Sequence, residues 1–414
     1  MKHEKISVLK VTRLDCTDEE LSRIKVPNGE LVITRGIGSG LTRSASYPAN
    51  HFWAIGDRGP NFKIPFAIEV LGLRNLGNLE NEAAIKVMPM PHIGPAISEL
   101  KIESDKITCI QTLELIDKNN VAISGLPSLE NTSEIAVGLD GKQLAAHFPG
   151  ADSEGIAAMN DGTFWIADEY CPSIIRVSAN GAILARWIPK GLGHLFAKAA
   201  YPVREVLPNI ATTRQFNRGF EALAISPDEN WLYVAFQSPL AHPDEKAHLK
   251  ARHVRIWKLN TQTGEIAAQY LYPLDKPQSF ARDKAKGKFH KSDIKLSELT
   301  TICEGKLLVL ERGSQTSKFY VIEVSQQAEI DEKHLDIQYR PTLEQLSDKG
   351  FDSEKIPILA KTFIFSSDDY PQIGADLEGV LLLSPRTILL VNDNDFGVEG
   401  VATNFWRVEL SGDL

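Results

Sequence analysis

The feature that most constrains the fold of this chain is a segment that recurs along it at long intervals. Each full copy has a polar start, a short apolar run, a turn and a second apolar run. Such a period indicates a fold assembled from repeated units, and it outweighs local secondary-structure signals. The full copies are DSEGIAAMNDGTFWIADE (152–169), GFEALAISPDENWLYVAFQ (219–237), LSELTTICEGKLLVLERG (296–313) and DLEGVLLLSPRTILLVNDND (376–395), and a fainter copy is SGLTRSASYPANHFWAIGDRG (39–59).

Each copy predicts a β-hairpin, because turn-forming residues separate its two apolar runs. The run NDG at 160–162 and the pair EG at 304–305 are such turns. Apolar runs after the copies, such as 174–178, 254–260 and 319–324, supply further strands for four-stranded blades. Sustained amphipathic helices are almost missing from the sequence. The pattern therefore indicates a β-propeller.

The copies lie too far apart for compact blades. Their glutamates Glu154, Glu221, Glu298 and Glu378 are separated by 67, 77 and 80 residues, whereas compact propeller repeats take ~40–50 residues. We therefore expect long insertions between the strands.

We predict an all-β fold in which residues 1–414 form a single β-propeller domain with six blades. Five and seven blades are the alternatives, because the stretch 60–150 has room for one irregular blade or for two. A multi-sheet β-sandwich is the structural rival, since it is also made of short strands and turns. The repeat favours the propeller over that rival.

The charge of the chain limits its partners. A net charge of −9 and a pI near 5.7 argue against nucleic acid and anionic membrane surfaces as partners, because both require a positive field. An acidic protein accommodates a bound cation more easily. No apolar run reaches the ~18 residues that suggest a membrane span. We therefore expect neither nucleic acid nor membrane as a partner, and the oligomeric state stays open.

The N-terminal run MKHEKISVLKVTRLDC lacks the continuous apolar stretch of a signal peptide. It predicts a cytoplasmic location by default, and a periplasmic or secreted location is the alternative if a leader has been removed. Cys16, Cys109, Cys171 and Cys303 lie far apart, without a C-x-x-C pair. We expect mostly buried thiols, with one disulfide as the alternative in an exported protein.

Acidic residues bracket the predicted hairpins. Equivalent positions of successive blades converge around a propeller axis, so these acids should meet at one mouth. Crowded carboxylates become protonated or destabilise the fold unless a cation offsets their charge. Acids on solvent-facing turns are the alternative, which the recurrence of the acid in successive copies makes less attractive. The residues concerned are Asp57, Glu154, Asp168, Glu169, Glu221, Glu311, Glu378, Asp393, Asn394 and Asp395.

We predict a divalent metal ion at this mouth. Calcium is the leading candidate, because the available ligands are hard oxygens and no histidine or cysteine lies nearby in sequence. Magnesium and manganese are the alternatives. The predicted metal ligands are Glu154, Glu221, Glu378, Asp393, Asn394 and Asp395.

The other polar residues of the mouth are the catalytic candidates. Arg58 and Arg312 each follow a strand-end acid, and a guanidinium there could bind a phosphate or a carboxylate in bidentate fashion. Pairing with the neighbouring acids is the alternative for both. The sequence has no G-x-S-x-G, Walker A, G-x-G-x-x-G or H-E-x-x-H motif. The catalytic candidates are Asp57, Arg58, Asp168, Glu169, Glu311 and Arg312.

A known family shares these motifs. The segments DSEGIA, DGTFWIADEY, RGFEALAISPD, LLVLERG, DLEGV and LLVNDNDFG, in this order, resemble the phytase-like family with reported esterase-like activity, over about residues 36–410. The resemblance implies a propeller with a metal-linked hydrolase activity that uses the acids and arginines named above. The D-A-D/E-D-P-A-I/V-W motif of the calcium-dependent propeller phytases is not present.

Three functions remain open on the sequence. The first is a metal-dependent hydrolase that acts on phosphoric or carboxylic esters of a small molecule, and the second is a calcium-dependent lactonase-type propeller. The third is a non-catalytic propeller that binds a ligand or a protein and holds a structural metal. A metal with open coordination positions favours the enzymes, whereas a filled coordination sphere favours the binding protein.

Overall fold

The computed structural model describes residues 6–128, 134–346 and 348–414. Strands make up 41% of the chain and helices 15%, which confirms the predicted all-β class. The first strands in chain order are β1 (Val8–Cys16), β2 (Glu20–Val26), β3 (Gly29–Thr34), β4 (Gly40–Thr42), β5 (His51–Ile55), β6 (Phe62–Lys63), β7 (Ile85–Val87), β8 (Ala96–Glu103), β9 (Lys106–Glu114) and β10 (Ile135–Val137).

The remaining strands follow the repeated segments. They are β11 (Ser153–Ala158), β12 (Phe164–Asp168), β13 (Ser173–Val177), β14 (Ile183–Pro189), β15 (Val203–Leu207), β16 (Phe220–Ile225), β17 (Trp231–Phe236), β18 (His253–Asn260), β19 (Ile266–Pro273), β20 (Lys295–Cys303), β21 (Lys306–Arg312), β22 (Ser317–Glu323), β23 (Lys361–Ser366), β24 (Leu377–Ser384), β25 (Thr387–Asn392) and β26 (Phe405–Leu410). The α-helices are short: α1 (Ile64–Glu69), α2 (Glu245–Lys250), α3 (Ala281–Lys286) and α4 (Asp348–Glu354).

The strands form a propeller around a closed ring of inner strands. Blade 1 contains β4, β5, β8 and β9, blade 2 contains β11 to β15, blade 3 contains β16 to β19, and blade 4 contains β20 to β23. Blade 5 contains β24, β25, β26 and β1. The inner strands β4, β11, β16, β20 and β24 contact one another in that order, and β24 returns to β4. The propeller is confirmed, whereas the preferred count of six blades is not, because the described strands build five.

The irregular stretch 60–150 explains the difference in blade count. It supplies β8 and β9 to blade 1, and it also carries α1 and a separate three-stranded sheet of β6, β7 and β10. The short apolar runs of this stretch look like blade strands when only the sequence is considered. Instead, they form an insertion that packs on the hairpin of β2 and β3 through a common apolar cluster.

The N-terminal strand closes the propeller. β1 pairs antiparallel with β26, with Leu14 opposite Phe405. The end of β1 then pairs in parallel with β9 of blade 1, with Cys16 opposite Ile107. Blades 1 and 5 are therefore joined through one strand from the far end of the chain.

Threonine side chains tie neighbouring inner strands together. The Thr301 hydroxyl donates to the Ile225 carbonyl at 2.7 Å, and the Thr300 hydroxyl donates to the Val380 carbonyl at 2.6 Å. These bonds pair polar groups that lie near the axis, where the inner strands do not form a common sheet. They hold blade 4 against blades 3 and 5.

A β-bulge interrupts the first strand pair of four blades at the position of the repeated acid. Glu154, Glu221 and Glu378 are the extra residues in their strands. In blade 4 the extra residue is Ser297, so Ser297 and not Glu298 corresponds to the other glutamates. A bulge re-aims the side chain that it carries. The sequence alignment of the third copy was therefore wrong by one residue.

The four cysteines are all free thiols. Cys171 is buried, but Cys109 and Cys303 are exposed, so the prediction of mostly buried thiols is wrong for these two. Within the described part of the chain, no helix is long and apolar enough to cross a membrane.

We predict that Leu14→Ala destabilises the protein by about 2–4 kcal/mol, because it leaves a cavity where β1 joins blades 1 and 5. Leu14 is 1% exposed and packs in the apolar cluster that includes Phe52 and Phe405. Leu9→Ala, at a 69% exposed position of the same strand, is the matched control. Urea unfolding of both variants measures the difference. Equal stabilities would contradict a closing role for β1.

Candidate metal centre

Seven carboxylates form a row at one end of the inner strands. They fall into three overlapping groups, and within each group one oxygen from each of three acids lies within 4.8 Å of the others. Asp57 belongs to the first two groups and Glu154 to the last two. The groups are Asp57, Asp393 and Asp395; Asp57, Asp152 and Glu154; and Glu154, Glu169 and Glu221.

The hairpins explain why these acids meet. In an antiparallel pair the start of the first strand lies beside the end of the second. Asp152 precedes β11 and Glu169 follows β12, so both lie at the same end of one hairpin. Asp57 and Asp393 lie just after the second strands β5 and β25 of their own blades. The bulges then turn Glu154 and Glu221 into the row.

A glycine lets the inner strands approach each other beside the row. A Cβ at Gly155 would lie 2.6 Å from the carbonyl oxygen of Glu221. No side chain fits at that distance, so only glycine allows β11 and β16 to come this close. The close approach brings Glu154 and Glu221 of neighbouring blades together.

Most of the row is buried, and three of its acids have oxygens without a hydrogen-bond donor. Asp152 is 0% exposed, and Glu169 and Glu221 are each 2% exposed. Both oxygens of Asp152, Oε1 of Glu169 and Oε2 of Glu221 are buried without a hydrogen-bond partner. A buried carboxylate oxygen normally has a donor or a cation beside it. These oxygens are therefore suited to a bound cation.

The surroundings shift the pKa values of these acids upward. Burial raises the pKa of Glu169 to about 7. Burial, followed by the neighbouring Glu221 carboxylate, raises the pKa of Glu154 well above its ordinary value. Burial also raises the pKa of Asp152, although Arg58 opposes the shift. Without a cation, part of this row is protonated near neutral pH.

Arg58 offsets part of the negative charge in the middle of the row. Its guanidinium lies 3.3 Å from Asp57 and 3.0 Å from Asp152, and it also pairs with Glu134. Burial raises the pKa of Asp57, but the Arg58 charge and the hydrogen bonds to this carboxyl group together outweigh burial and lower the pKa. The sequence left two roles open for Arg58, namely binding of a substrate anion and pairing with neighbouring acids. These contacts favour the pairing.

Positive side chains from blades 3 and 4 lie on the other side of the mouth. Lys295 pairs in register with Arg312, and both influence Glu221 electrostatically. Burial, followed by the Arg312 charge, lowers the pKa of Lys295 to about 8. Arg218 is half-buried, and it interacts electrostatically with Glu221 and with Arg312. The acids of the mouth thus come from blades 5, 1 and 2 and from Glu221 of blade 3, and the basic side chains come from blades 3 and 4.

Two of the predicted catalytic carboxylates have all their oxygens engaged elsewhere. Asp168 forms a fully buried ion pair of 2.7 Å with Arg186, and its other oxygen accepts from the backbone N–H of Asp152 at 2.9 Å. Oε2 of Glu311 accepts from Tyr272 at 2.7 Å and pairs with Lys361 at 2.5 Å, and Oε1 accepts from the backbone N–H of Asp275 at 2.7 Å. Neither joins the row, so the expectation of one common mouth is corrected for both. Asp168 instead positions Asp152.

Two predicted metal ligands also lie outside the three acid groups. The Asn394 side-chain oxygen accepts from the backbone N–H of Phe396 at 3.1 Å, and its amide donates to the Arg35 carbonyl at 2.9 Å. Asn394 therefore shapes the turn that presents Asp393 and Asp395. Glu378 pairs with Arg312, whose Nε donates to Ser297 at 2.9 Å. These contacts engage both side chains, and a role of Asn394 and Glu378 in holding a metal stays a prediction.

Asp152 and Lys295 also face the mouth, although neither was predicted from the sequence. Asp152 stands two residues before Glu154 in the quoted segment DSEGIA, and Lys295 stands two residues before the corresponding Ser297. Position two before the bulge therefore faces the mouth, carrying an acid in blade 2 and a base in blade 4. Counting from the bulge and not from the glutamate would have found both residues.

The model of a protein family described as phytase-like, with esterase-like activity of phytase, matches residues 34–396. The chain belongs to this family. The matched region of the phytase-like family contains all seven acids of the row together with Arg58, Lys295 and Arg312. The resemblance noted in the sequence is therefore confirmed.

Relatives and solved structures add little beyond this phytase-like membership. A curated relative, an uncharacterized secreted protein of Arthroderma benhamiae, is 27% identical over 313 residues, which are 69% of this chain and 58% of the relative. This chain therefore spans less than two thirds of that relative's length.

Solved structures with similar folds include two gluconolactonases. The one from Xanthomonas campestris has 9% identity and a TM-score of 0.36, with 97% of this chain and 98% of that chain covered. The periplasmic one from Pseudomonas aeruginosa has 11% identity and a TM-score of 0.35, with 93% and 90% covered. Such low scores and identities carry no information on the activity of this chain.

We predict that the stability of the chelated protein falls as the pH rises from about 4.5 to about 7. In this window the unfolded Glu169 has lost its proton while the folded one, with a pKa of about 7, retains it. The folded state binds more protons there, so stability present at low pH is lost as the pH rises. For Glu169 alone the loss is about 3 kcal/mol.

Urea unfolding with chelator between about pH 5 and about pH 7 measures this effect. Saturating calcium should reduce the loss, because bound cation keeps the carboxylates ionised in the folded state. Stability that is independent of pH with and without calcium would contradict the upward pKa shifts.

Proposed function

We propose that this protein is a metal-dependent hydrolase of phosphoric or carboxylic esters and that its site is the acidic row. The observation that carries the proposal is the set of unpartnered buried oxygens on Asp152, Glu169 and Glu221. A protein retains such a costly arrangement where a ligand offsets it. Membership of a family described by esterase-like activity supports ester hydrolysis as the reaction.

The residues present fit a hard divalent cation. Glu154, Glu169 and Glu221 offer three carboxylates whose oxygens lie within 4.8 Å of each other. Carboxylate oxygen is the ligand that calcium prefers, with magnesium and manganese as alternatives. A cation held there supplies Lewis-acid polarisation of the ester and lowers the pKa of a water molecule.

Glu169 is the proposed proton acceptor. Asp168, the other candidate for this role, is occupied by Arg186. A carboxylate has two oxygens, so Glu169 can contact a cation with one and accept a proton with the other.

The basic side of the mouth is proposed to stabilise negative charge on the substrate. Lys295 has no ion-pair partner within 4 Å among the described contacts, whereas Arg312 is paired with Glu378 and Asp376. Lys295 is therefore the cation whose donors are most available to a developing oxyanion. The proposed substrate is a small-molecule ester that reaches the mouth from solvent.

We also propose a location outside the cytoplasm. The support is the name of the Arthroderma benhamiae relative, which describes that protein as secreted. Calcium sites of extracellular modules bind at about 10⁻⁴–10⁻³ M, and such weak sites fill where calcium is abundant.

We predict that Glu221→Gln abolishes hydrolysis while the protein stays folded, because the change keeps the shape and removes one charge from the cation site. Asp161→Asn is the matched control, since Asp161 lies at the turn of β11 and β12, at the other end of that hairpin, and is exposed. Assays with a phosphate ester, a carboxylic ester and a lactone at saturating calcium, beside a thermal melt, measure the effect. If the wild-type protein shows no metal-dependent activity on any of the three substrates, the proposed function is overturned.

We predict that Lys295→Met lowers kcat by roughly 10²–10³-fold, the usual cost of removing one donor to a developing oxyanion. Thermal stability should be maintained, because the substitution removes a half-buried charge and keeps an apolar side chain of similar length. Lys142→Met, at a solvent-exposed lysine, controls for loss of positive charge. Unchanged kcat for Lys295→Met would exclude a role for this amine in the reaction.

A further inference from the structure

The row carries more negative charge than one divalent cation offsets. Seven carboxylates belong to it, and Arg58 pairs with two of them, Asp57 and Asp152. No ion pair among the described residues involves the other five: Glu154, Glu169, Glu221, Asp393 and Asp395. With Arg58 and a single divalent cation, the ionised row would keep a net negative charge in a mostly buried site. Lys295 and Arg218, which interact with Glu169 and Glu221, offset only part of it.

The unpartnered oxygens lie in two neighbouring groups. Glu169 and Glu221 each have one in the group that also contains Glu154. Asp152, which is 0% exposed, has one, Oδ1, in the group that contains Glu154 and Asp57, while its Oδ2 pairs with Arg58 at 3.0 Å. Each group therefore contains a buried oxygen without a partner. The two groups are different sets of oxygens, so one ion cannot contact all the oxygens of both.

Asp57 and Asp152 show most directly that a positive group is needed between them. Oxygens of their carboxyl groups lie within 4.8 Å of each other. Two ionised carboxylates only accept hydrogen bonds, so this proximity is favourable only with positive charge beside them. Arg58 covers one side of the pair, while Oδ1 of Asp152 remains without a partner on the other.

We propose that the row binds two divalent cations that share Glu154 as a bridging ligand. The first is held by Glu154, Glu169 and Glu221, and the second by Asp57, Asp152 and Glu154. The inference rests on the proposed function for the first cation and adds the second. A carboxylate can bridge through its two oxygens, and paired cations about 3.5–4 Å apart are a known arrangement for stabilising both the attacking and the leaving oxygen.

The number of bound ions tests this proposal independently of activity. Metal-free full-length protein is loaded with calcium, freed of excess ion, and analysed by native mass spectrometry and elemental analysis, with calorimetric titration for the affinities. Wild-type protein should bind two ions per chain, and Asp152→Asn should bind one with at least a tenfold loss of affinity at the second site. Asp161→Asn, in the same hairpin but away from the row, should retain two ions.

Different failures have different meanings in this experiment. One ion in the wild type would overturn the second site and leave the proposed function in place, whereas no ion would overturn both. Two ions in folded Asp152→Asn would overturn the assignment of Asp152. If Asp152→Asn does not fold, Asp57→Asn takes its place, and retention of two ions in that variant would equally overturn the second site.

Discussion

Repulsion between buried carboxylates is the physical constraint on which the rest of this structure depends. Glu154, Glu169 and Glu221 come from two blades and meet within 4.8 Å at the axis. Ionised groups this close, and this poorly hydrated, raise each other's pKa and destabilise the fold unless something positive lies among them. Arg58 meets part of the need at Asp57 and Asp152, and Glu169 and Glu221 keep oxygens without a partner. Every functional proposal for this chain follows from that imbalance.

The propeller fold makes the imbalance possible. No single hairpin could bring so many acids together, because successive side chains of a strand point to opposite faces of the sheet. Only some of the acids in one hairpin could therefore face the same side. The closed ring of five inner strands places the same end of each hairpin at one mouth, and the bulges turn Glu154 and Glu221 toward it. Buried pairs such as Asp168 with Arg186 then hold the surrounding backbone, so that the acids cannot easily move apart. The stability of the blades is what keeps the site under electrostatic strain.

Much of the fold and part of the site could be predicted from the sequence. The repeat predicted the hairpins, the propeller and the convergence of Glu154, Glu169 and Glu221, because turn residues and alternating apolar runs are local signals. Blade number depends on how the stretch 60–150 distributes its strands, which no local pattern reveals. The roles of Asp168 and Glu311 depend on partners such as Arg186 and Lys361, which lie elsewhere in sequence. In the sequence, Asp168 and Glu311 look equivalent to Glu169, and only their ion pairs in the folded chain distinguish them.

The bulges set a further limit on prediction from sequence. Ser297 and not Glu298 corresponds to Glu154, since a bulge inserts one residue whose place the apolar pattern does not mark. The same shift hides Lys295, which makes one side of the mouth basic. An acidic row that faces a basic side is thus a property of strand register and blade order, and only the folded chain reveals it.

The most direct test of the central claim is a crystal structure of the protein soaked with manganese, with anomalous scattering measured at the manganese edge. A cation site predicts an anomalous peak bounded by carboxylate oxygens of Glu154, Glu169 and Glu221, at about 2.0–2.3 Å from them. Ordered carboxylates that contact each other directly at neutral pH, with no anomalous peak at saturating manganese, would contradict it, because protonation and not a cation would then relieve the repulsion.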